Sequence, residues 1–469
     1  MESRKHTDLK LRCGSVNLGT NPILGQRFIF AFVGLPARGK SYLSRKLATF
    51  LNWMGYETKV FSIGLYRRHL IGVNCDWTFF EEDNKETLHL REMCVKKALN
   101  DMLDFLILKG GSIGIIDGTN IRKDKRRNLE DYIKENFPPE MKYSFIWIES
   151  ICTVSEIVEQ NILKNKLKSP DYKDWTEEKA VKDFRDRINT YEKVYDHLSA
   201  ENEGEEGSFI QLVDYNSEII ARNIKGFLPS KVFSFLVNLV PSDRPIYFTR
   251  HGSSKSSSNK IVGGDSELTP NGLKYAECLY KCISQEESIL KKSNFKDEVA
   301  IYCSTLQRSF KTADYLSSIG RVYQKKCLDD INAGVCEGLS YAQIEEKYPK
   351  EYEERANDKL NYRYPRGESY KDVIIRLEPI IHELERRLGP VIVIGHQATL
   401  RCLYGYFTNT PLDLIPFINI PLHTVIKKNP QAFGINETRV KLNVETGEFT
   451  QLTDSIPNFE DNLYNVPDK

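Results

Sequence analysis

Long apolar runs are missing from this 469-residue chain: none approaches the roughly 18 residues that a membrane-spanning helix needs, so a membrane role is not expected. An excess of charge of either sign is missing too. Sixty-six Lys and Arg stand against 65 Asp and Glu, a formal net charge of +1. Bulk electrostatics therefore gives no support to nucleic-acid or membrane-surface binding, and local cationic pockets remain as the expected anion sites. The 10 cysteines contain no C-x-x-C pair. Cys278 and Cys282 are spaced for one helix face rather than for a metal, and reduced thiols in the cytoplasm are the expectation. Residues 1–13 are polar and charged, unlike a secretory leader. No internal repeat appears, and the one low-complexity piece is the serine cluster at 253–258.

What is present are two phosphate-handling signatures that belong to opposite reactions. The first is Gly34-Leu35-Pro36-Ala37-Arg38-Gly39-Lys40-Ser41, two glycines four residues apart followed by Lys and Ser, the P-loop pattern. Gly34 and Gly39 let backbone N–H groups turn inward around phosphate oxygens, and a helix starting near Lys40 adds the positive end of its dipole. Lys40 is placed to reach the β/γ-phosphates and Ser41 to ligate Mg²⁺. The flanks agree: residues 27–33 (RFIFAFV) read as a buried strand and residues 42–53 (YLSRKLATFLNW) carry helical apolar spacing. A second acid for the metal comes from Asp117, which ends the strand-like run at 113–117 (IGIID). After it stand Thr119, Arg122, Lys123, Lys125, Arg126 and Arg127, at a strand exit where α/β sheets bind ligands, so an anionic acceptor is expected there. Arg67 and Arg68, after residues 61–64 (FSIG), share that position.

The second signature is Arg250-His251-Gly252. It is short, and its partners give it weight. Residues 245–249 (PIYFT) read as the strand that delivers it; Gly263-Gly264-Asp265 form a loop, and Thr269-Pro270 read as the N-cap and first residue of a helix. Residues 300–304 (AIYCS) are another strand, entering a helix that bears Arg308. Glu337 lies in a loop, and the run 391–395 (VIVIG) delivers His396. Two histidines, two arginines and a carboxylate at separate strand ends can form a covalent phosphohydrolase site.

Taken in order, the stretches GLPARGKSY, FLNW, LYRRH, DGTNIRKDKRR, ESIC, LKSPDY, RHG, GGD, INAGVCEGLSYAQI, YRYPRGESY, IGHQATLRCL and PLHTV resemble the bifunctional 6-phosphofructo-2-kinase/fructose-2,6-bisphosphatase family over nearly the whole chain. The resemblance implies an α/β fold, a P-loop NTPase-like kinase domain followed by a histidine phosphatase domain like phosphoglycerate mutase. It implies that Lys40, Ser41 and Asp117 serve ATP and Mg²⁺, with the P-loop from Gly34 to Ser41, Asn161 and Lys166 contacting the nucleotide. Arg68, Arg91, Thr119, Arg187 and Tyr191 are implied to hold fructose 6-phosphate. In the second half it makes His251 the nucleophile, Arg250, Arg308 and His396 the stabilisers of the phosphoryl group, and Glu337 the proton donor, with no cofactor. Ser257, Gly263, Tyr348, Arg355, Lys359, Gln397 and Arg401 are implied to bind the rest of fructose 2,6-bisphosphate. A homodimer through the kinase halves is implied as well.

The chain departs from the family after Gly252. Relatives usually carry Glu-Ser-Glu and then an Asn and an Arg that contact phosphate; here the run is Ser253-Ser254-Lys255-Ser256-Ser257-Ser258-Asn259-Lys260-Ile261. Without gaps Ser257 replaces the asparagine and Ile261 the arginine, although Asn259 and Lys260 can substitute if the loop shifts. Lys123 and Lys125 stand where relatives carry arginine, and lysine cannot bind phosphate bidentately. The expectation is a kinase-dominant bifunctional enzyme. The alternative is a kinase whose phosphatase-like half acts as scaffold or sensor; a polynucleotide kinase joined to a phosphatase is disfavoured by the neutral charge.

The expected organisation is an N-terminal tail at 1–26, a kinase domain at 27–243, a phosphatase domain at 244–452 and a C-terminal tail at 453–469. The apolar stretch 231–240 (KVFSFLVNLV) closes the first half and 241–245 (PSDRP) is a breaker-rich link. Residues 201–208 (ENEGEEGS) read as an acidic surface loop. Ser15, three residues after Arg12, is a candidate phosphorylation site.

Overall fold

The computed structural model describes residues 25–81, 84–167, 169–286, 289, 295, 297–430, 435–452 and 463–465. Ser15 and nearly all of both tails lie outside the described residues. Two sheets organise the rest. The first contains β1 (Gln26–Val33), β2 (Thr58–Ser62), β3 (Ile113–Asp117), β4 (Lys142–Ile151), β5 (Phe209–Val213) and β6 (Glu218–Arg222), in the order β2-β3-β1-β4-β5-β6. All neighbours are parallel except β5 and β6. The run Phe28 to Val33 is buried on both faces of β1, which is why it reads as continuously apolar rather than alternating.

The second sheet contains β7 (Ile246–Arg250), β8 (Ala300–Cys303), β9 (Arg321–Gln324), β10 (Val391–Gly395), β11 (Thr424–Pro430), β12 (Ile435–Leu442) and β13 (Phe449–Leu452). Its order is β13-β12-β11-β7-β10-β8-β9. The four strands from β7 to β9 are mutually parallel, and β11 to β13 extend the sheet antiparallel. Register then places the chemistry: Gly395 pairs with Arg250 and Ile394 with Cys303. The residues just beyond these strands, His251, His396 and Ser304, therefore emerge side by side. In the first sheet Ser62 pairs with Asp117 in the same way.

The two sheets share a core, because one apolar cluster draws on both. Phe50, on the helix Lys40–Trp53, stacks on Phe235 at 4.2 Å. Trp53 Nε1 donates to the Cys402 carbonyl at 2.8 Å. Within this contact lies a buried ion pair, Lys46 Nζ to Glu385 Oε1 at 2.7 Å, and the Tyr406 hydroxyl donates to the same oxygen at 2.8 Å.

Local expectations are met at the helix starts. Thr269 caps the helix Pro270–Ser284 by accepting from the Gly272 N–H at 3.1 Å, and Cys278 and Cys282 are both buried along it. One reading needs correction. The acidic segment at 201–208 is not all surface loop: Ala200–Glu203 is a helical turn, and Glu203 pairs with Arg126 in the interior. At the C-terminal tail Leu463 is buried and the Asn465 N–H donates to the Val60 carbonyl at 3.0 Å, next to a parallel bridge from Tyr464 to Val60.

Candidate active sites

The P-loop leaves β1 at Gly34, whose φ of +137° and surroundings both require glycine. A Cβ there would meet the Ser150 carbonyl oxygen at 2.5 Å. The Gly34 N–H donates to the Thr119 carbonyl at 2.9 Å, tying the loop to the exit of β3. Asn161 Nδ2 donates to the Ala37 carbonyl at 3.0 Å, and Arg38 lies 3.6 Å from Glu192. The helix Lys40–Trp53 has Gly39 as N-cap and no side-chain cap, so amides of its first turn are left for an external anion. Lys40 is buried with its ammonium on the Leu35 carbonyl at 2.6 Å. Asp117 is buried at the end of β3 and accepts from the Ser62 hydroxyl at 3.1 Å. A hydroxyl from Ser41 and a carboxylate from Asp117 are hard oxygen donors of the kind Mg²⁺ takes, with phosphates and waters completing its shell. Lys166 closes the turn Ile162–Lys166; its side chain lies outside the described residues.

Three of the five expected sugar-phosphate residues, Arg91, Arg187 and Tyr191, gather around Phe80. The Arg187 guanidinium lies 3.5 Å from the Phe80 ring centre, and its buried Nε has no hydrogen-bond partner among the described residues. Arg91 donates to the carbonyls of Phe80 and Glu81 at 3.1 and 2.7 Å. Tyr191 packs with Phe80 and with Leu35 of the P-loop, so the P-loop and the expected sugar-phosphate residues meet through one cluster. Arg68 lies 3.5 Å from Asp171, on the same carboxylate that holds Arg67 at 2.6 Å. Arg67 is buried and anchored, whereas Arg68 is the more exposed of the two. Thr119 sits apart from this cluster at the P-loop junction. The basic run after it is largely committed elsewhere: Arg126 is enclosed by Glu203 and three backbone carbonyls, Arg122 pairs with Asp124, and Lys125 with Glu92.

At the second sheet His251 and His396 lie with ring centres 5.0 Å apart. His251 Nδ1 donates to the Gly252 carbonyl at 2.7 Å, which puts the proton on Nδ1 and leaves Nε2 as the lone-pair nitrogen. Arg308 Nε donates to that Nε2 at 3.2 Å. Burial, together with each other's charge and those of Arg308 and Arg250, pushes His251 well below its ordinary range; burial and the same arginines do this to His396. Both rings are therefore neutral near pH 7, the state a nitrogen nucleophile needs. Ser304 Oγ sits 2.7 Å from His396 Nε2 and accepts from the Leu306 N–H at 3.3 Å. With the serine proton on Nε2, His396 carries its own proton on Nδ1, a buried atom with no hydrogen-bond partner among the described residues. Arg250 Nε is likewise buried and without a partner among the described residues. Unpaired buried donors are costly unless an anion completes them.

Glu337 enters from the opposite wall, its two oxygens accepting from the Gly264 N–H at 2.6 Å and the Ala333 N–H at 2.8 Å. A Cβ at Gly263 would stand 1.7 Å from Glu337 and the φ of +68° favours glycine, so a side chain there would displace the carboxylate. Beyond lies a second cationic patch. Arg401 donates to the Ile418 carbonyl at 2.6 Å and to the Tyr370 hydroxyl at 3.1 Å, and Lys359 donates to the Pro416 carbonyl at 2.8 Å. Burial, with Arg401 and Arg355 nearby, brings Lys359 down to about 8. Arg355 lies over Tyr341, Tyr348 is exposed, and Gln397 opens the helix Gln397–Phe407. Ser257 is not brought to this site by any of its bonds. Its hydroxyl and N–H close a capping box with Ser254, and Lys255 pairs with Glu267.

Several contributing residues escaped the sequence reading: Asp171, Ser62, Ser304, His423 (2.9 Å from Ser253 Oγ) and Asp330. Asp171 and Ser304 stand inside stretches already singled out. Their partners do not follow from spacing.

A mononucleotide-type P-loop site and a paired-histidine site, each at the ends of parallel strands in its own sheet, define a chain that joins a P-loop kinase to a histidine phosphatase. Comparisons with known proteins agree. Residues 20–243 match 6-phosphofructo-2-kinase, and residues 246–438 match the histidine phosphatase superfamily, branch 1. The 6-phosphofructo-2-kinase/fructose-2,6-bisphosphatase of Caenorhabditis elegans is 40% identical over 92% of both chains. The rat protein named 6-phosphofructo-2-kinase/fructose-2,6-bisphosphatase 3 is 39% identical over 89% of this chain and 72% of its own. A Saccharomyces cerevisiae protein named fructose-2,6-bisphosphatase is 38% identical over 88% of both. The chain belongs to the 6-phosphofructo-2-kinase/fructose-2,6-bisphosphatase family, and its two activities are those of the kinase and the bisphosphatase. The kinase domain implies ATP as a substrate. Among the described residues no helix is long and apolar enough to cross a membrane.

Proposed function

We propose that the chain is a cytoplasmic, kinase-dominant bifunctional enzyme, a homodimer through its kinase halves, that sets the level of fructose 2,6-bisphosphate and thereby the balance of glycolysis and gluconeogenesis. Its kinase domain is assigned to 27–243 and its phosphatase domain to 244–452. In the kinase half the P-loop amides and Lys40 hold the ATP phosphates, Asn161 and Lys166 contact the nucleotide, and Arg68, Arg91, Thr119, Arg187 and Tyr191 hold fructose 6-phosphate. Ser41 and Asp117 hold Mg²⁺, which when bound neutralises charge on the transferring phosphoryl group. Transfer to the sugar 2-hydroxyl needs alignment and cations rather than covalent help from the protein.

In the phosphatase half His251 Nε2 attacks the 2-phosphoryl group, forming an N–P bond as the bond to the sugar oxygen breaks. Arg250, Arg308 and the His396 Nδ1 proton stabilise the phosphoryl oxygens, and Glu337 protonates the leaving oxygen. Arg355, Lys359 and Arg401, with Gly263, Tyr348 and Gln397, bind the remaining sugar phosphate; water then releases phosphate from His251. The observation that carries this half is His251 itself, its Nδ1 on the Gly252 carbonyl and its Nε2 lone pair facing Arg308. Kinase dominance is supported by the loop after Gly252, where Ser257 is engaged in its own turn and Lys255 by Glu267. The complete set of Arg250, His251, Arg308, Glu337 and His396 favours a slow bisphosphatase over a scaffold. Brief exposure to substrate labelled at the 2-phosphate should leave acid-labile, base-stable label on the protein that His251→Ala removes. Label on a serine of the 253–258 cluster would refute the histidine mechanism.

A further inference from the structure

One carboxylate stands among the phosphate-binding cations without a part in the chemistry above. Asp330 Oδ2 lies 3.4 Å from Arg308 Nη2 and 3.7 Å from His396 Nδ1. It thus faces the two groups that would grip the phosphoryl oxygens. Both contacts are longer than the roughly 2.7–2.9 Å of a tight charged hydrogen bond, so the carboxylate is a loose counter-ion that an incoming oxyanion can displace. It cannot travel far. Its Oδ1 accepts from the Ile331 N–H at 3.0 Å, and its backbone carbonyl accepts from Arg376 Nη2 at 3.1 Å. Arg376 also holds the Asp329 carbonyl at 2.8 Å and is itself fixed by Glu368, 2.8 Å from its Nε. A fixed negative charge of this kind neutralises the cations while the site is empty. It repels a dianion once one has entered.

We propose that Asp330 is a built-in counter-anion of the phosphate subsite, which competes with inorganic phosphate for Arg308 and His396 and so drives product release. The proposal rests on the histidine-phosphatase reading of this site. A ligand still linked to sugar is held additionally by the Arg355, Lys359 and Arg401 patch, whereas free phosphate has only Arg250, Arg308 and His396, and Asp330 already faces the last two. The carboxylate therefore weakens product more than substrate.

The test measures inhibition of hydrolysis by inorganic phosphate, and direct phosphate binding by calorimetry, in full-length wild type, Asp330→Asn, Asp330→Ser and Asp330→Glu. Synthesis of fructose 2,6-bisphosphate serves as the folding control. Asp330→Asn and Asp330→Ser should bind phosphate on the order of tenfold more tightly, the scale of removing one nearby like charge. Their steady-state kcat for hydrolysis should fall while single-turnover labelling of His251 is kept or quickened; Asp330→Glu should stay within threefold of wild type. A merely structural residue would weaken phosphate binding and labelling together. Phosphate affinity unchanged within twofold, or weakened, in either neutral variant overturns the proposal. If the wild type itself fails to hydrolyse the bisphosphate, the underlying phosphatase reading fails instead, and the calorimetric comparison still decides the role of Asp330.

Discussion

Replacing Arg308 by lysine keeps the charge and removes the geometry, which makes it the sharpest probe of the phosphatase site. The guanidinium is almost fully enclosed, with its side chain 3% exposed, and serves three directions at once. Nε donates to His251 Nε2 at 3.2 Å, Nη1 to the Gly264 carbonyl, and Nη2 faces Asp330 at 3.4 Å. An ammonium on a flexible stem satisfies one of these well. Two charged hydrogen bonds are then lost, each worth about 1.5–3 kcal/mol. Because the positive charge stays in the pocket, the low end applies, about 3 kcal/mol, or on the order of a hundredfold in rate. The assay follows release of label from 2-labelled fructose 2,6-bisphosphate, with ATP-dependent synthesis measured on the same preparation. Hydrolysis should fall about a hundredfold while synthesis changes less than twofold. Hydrolysis within threefold of wild type would mean that a generic cation suffices and that the three-way guanidinium contact with His251, Gly264 and Asp330 has no function.

Two further outcomes follow from buried charges. Lys46→Met leaves Glu385 enclosed without its cation and should cost about 3–5 kcal/mol in urea unfolding, whereas Lys46→Met combined with Glu385→Leu should recover most of that; a single-variant loss below about 1 kcal/mol would remove the pair from the account of the shared core. Lys359, lowered to about 8, is charged below that pH and neutral above it, so kcat/KM for hydrolysis should fall as pH rises from about 7 to 9, and the fall should be absent in Lys359→Met; the same step persisting in that variant would assign it to another group.

The parts of this molecule that the sequence disclosed are those written locally. The P-loop, the apolar runs of β1 and β10, and the cap formed by Thr269 and Pro270 each lie within about a dozen residues, so spacing alone carries them. Pairings across the fold were not legible. Ser304 meets His396, Glu203 meets Arg126 and Lys46 meets Glu385 only because strand register and helix packing bring distant segments together. The basic run from Arg122 to Arg127 shows the cost of reading charge without partners. As a string it resembles an anion site; in the fold Arg126 is an internal brace and Lys125 is paired with Glu92. Ser257 is the converse case, a position compared with a phosphate ligand whose hydroxyl the fold uses to cap a short turn.

The central claim is that one chain carries two chemically independent sites for making and breaking the same bond. Rates of synthesis and of hydrolysis of fructose 2,6-bisphosphate, measured on wild type, Lys40→Met and His251→Ala, test it most directly. Removing a cation that faces developing phosphoryl charge costs about 3 kcal/mol or more, on the order of a hundredfold. Lys40→Met should therefore lose synthesis and keep hydrolysis, His251→Ala should do the reverse, and the wild type should synthesise faster than it hydrolyses. Loss of both activities in either folded variant, or retention of synthesis within a few-fold in Lys40→Met, would contradict the assignment of two separate sites.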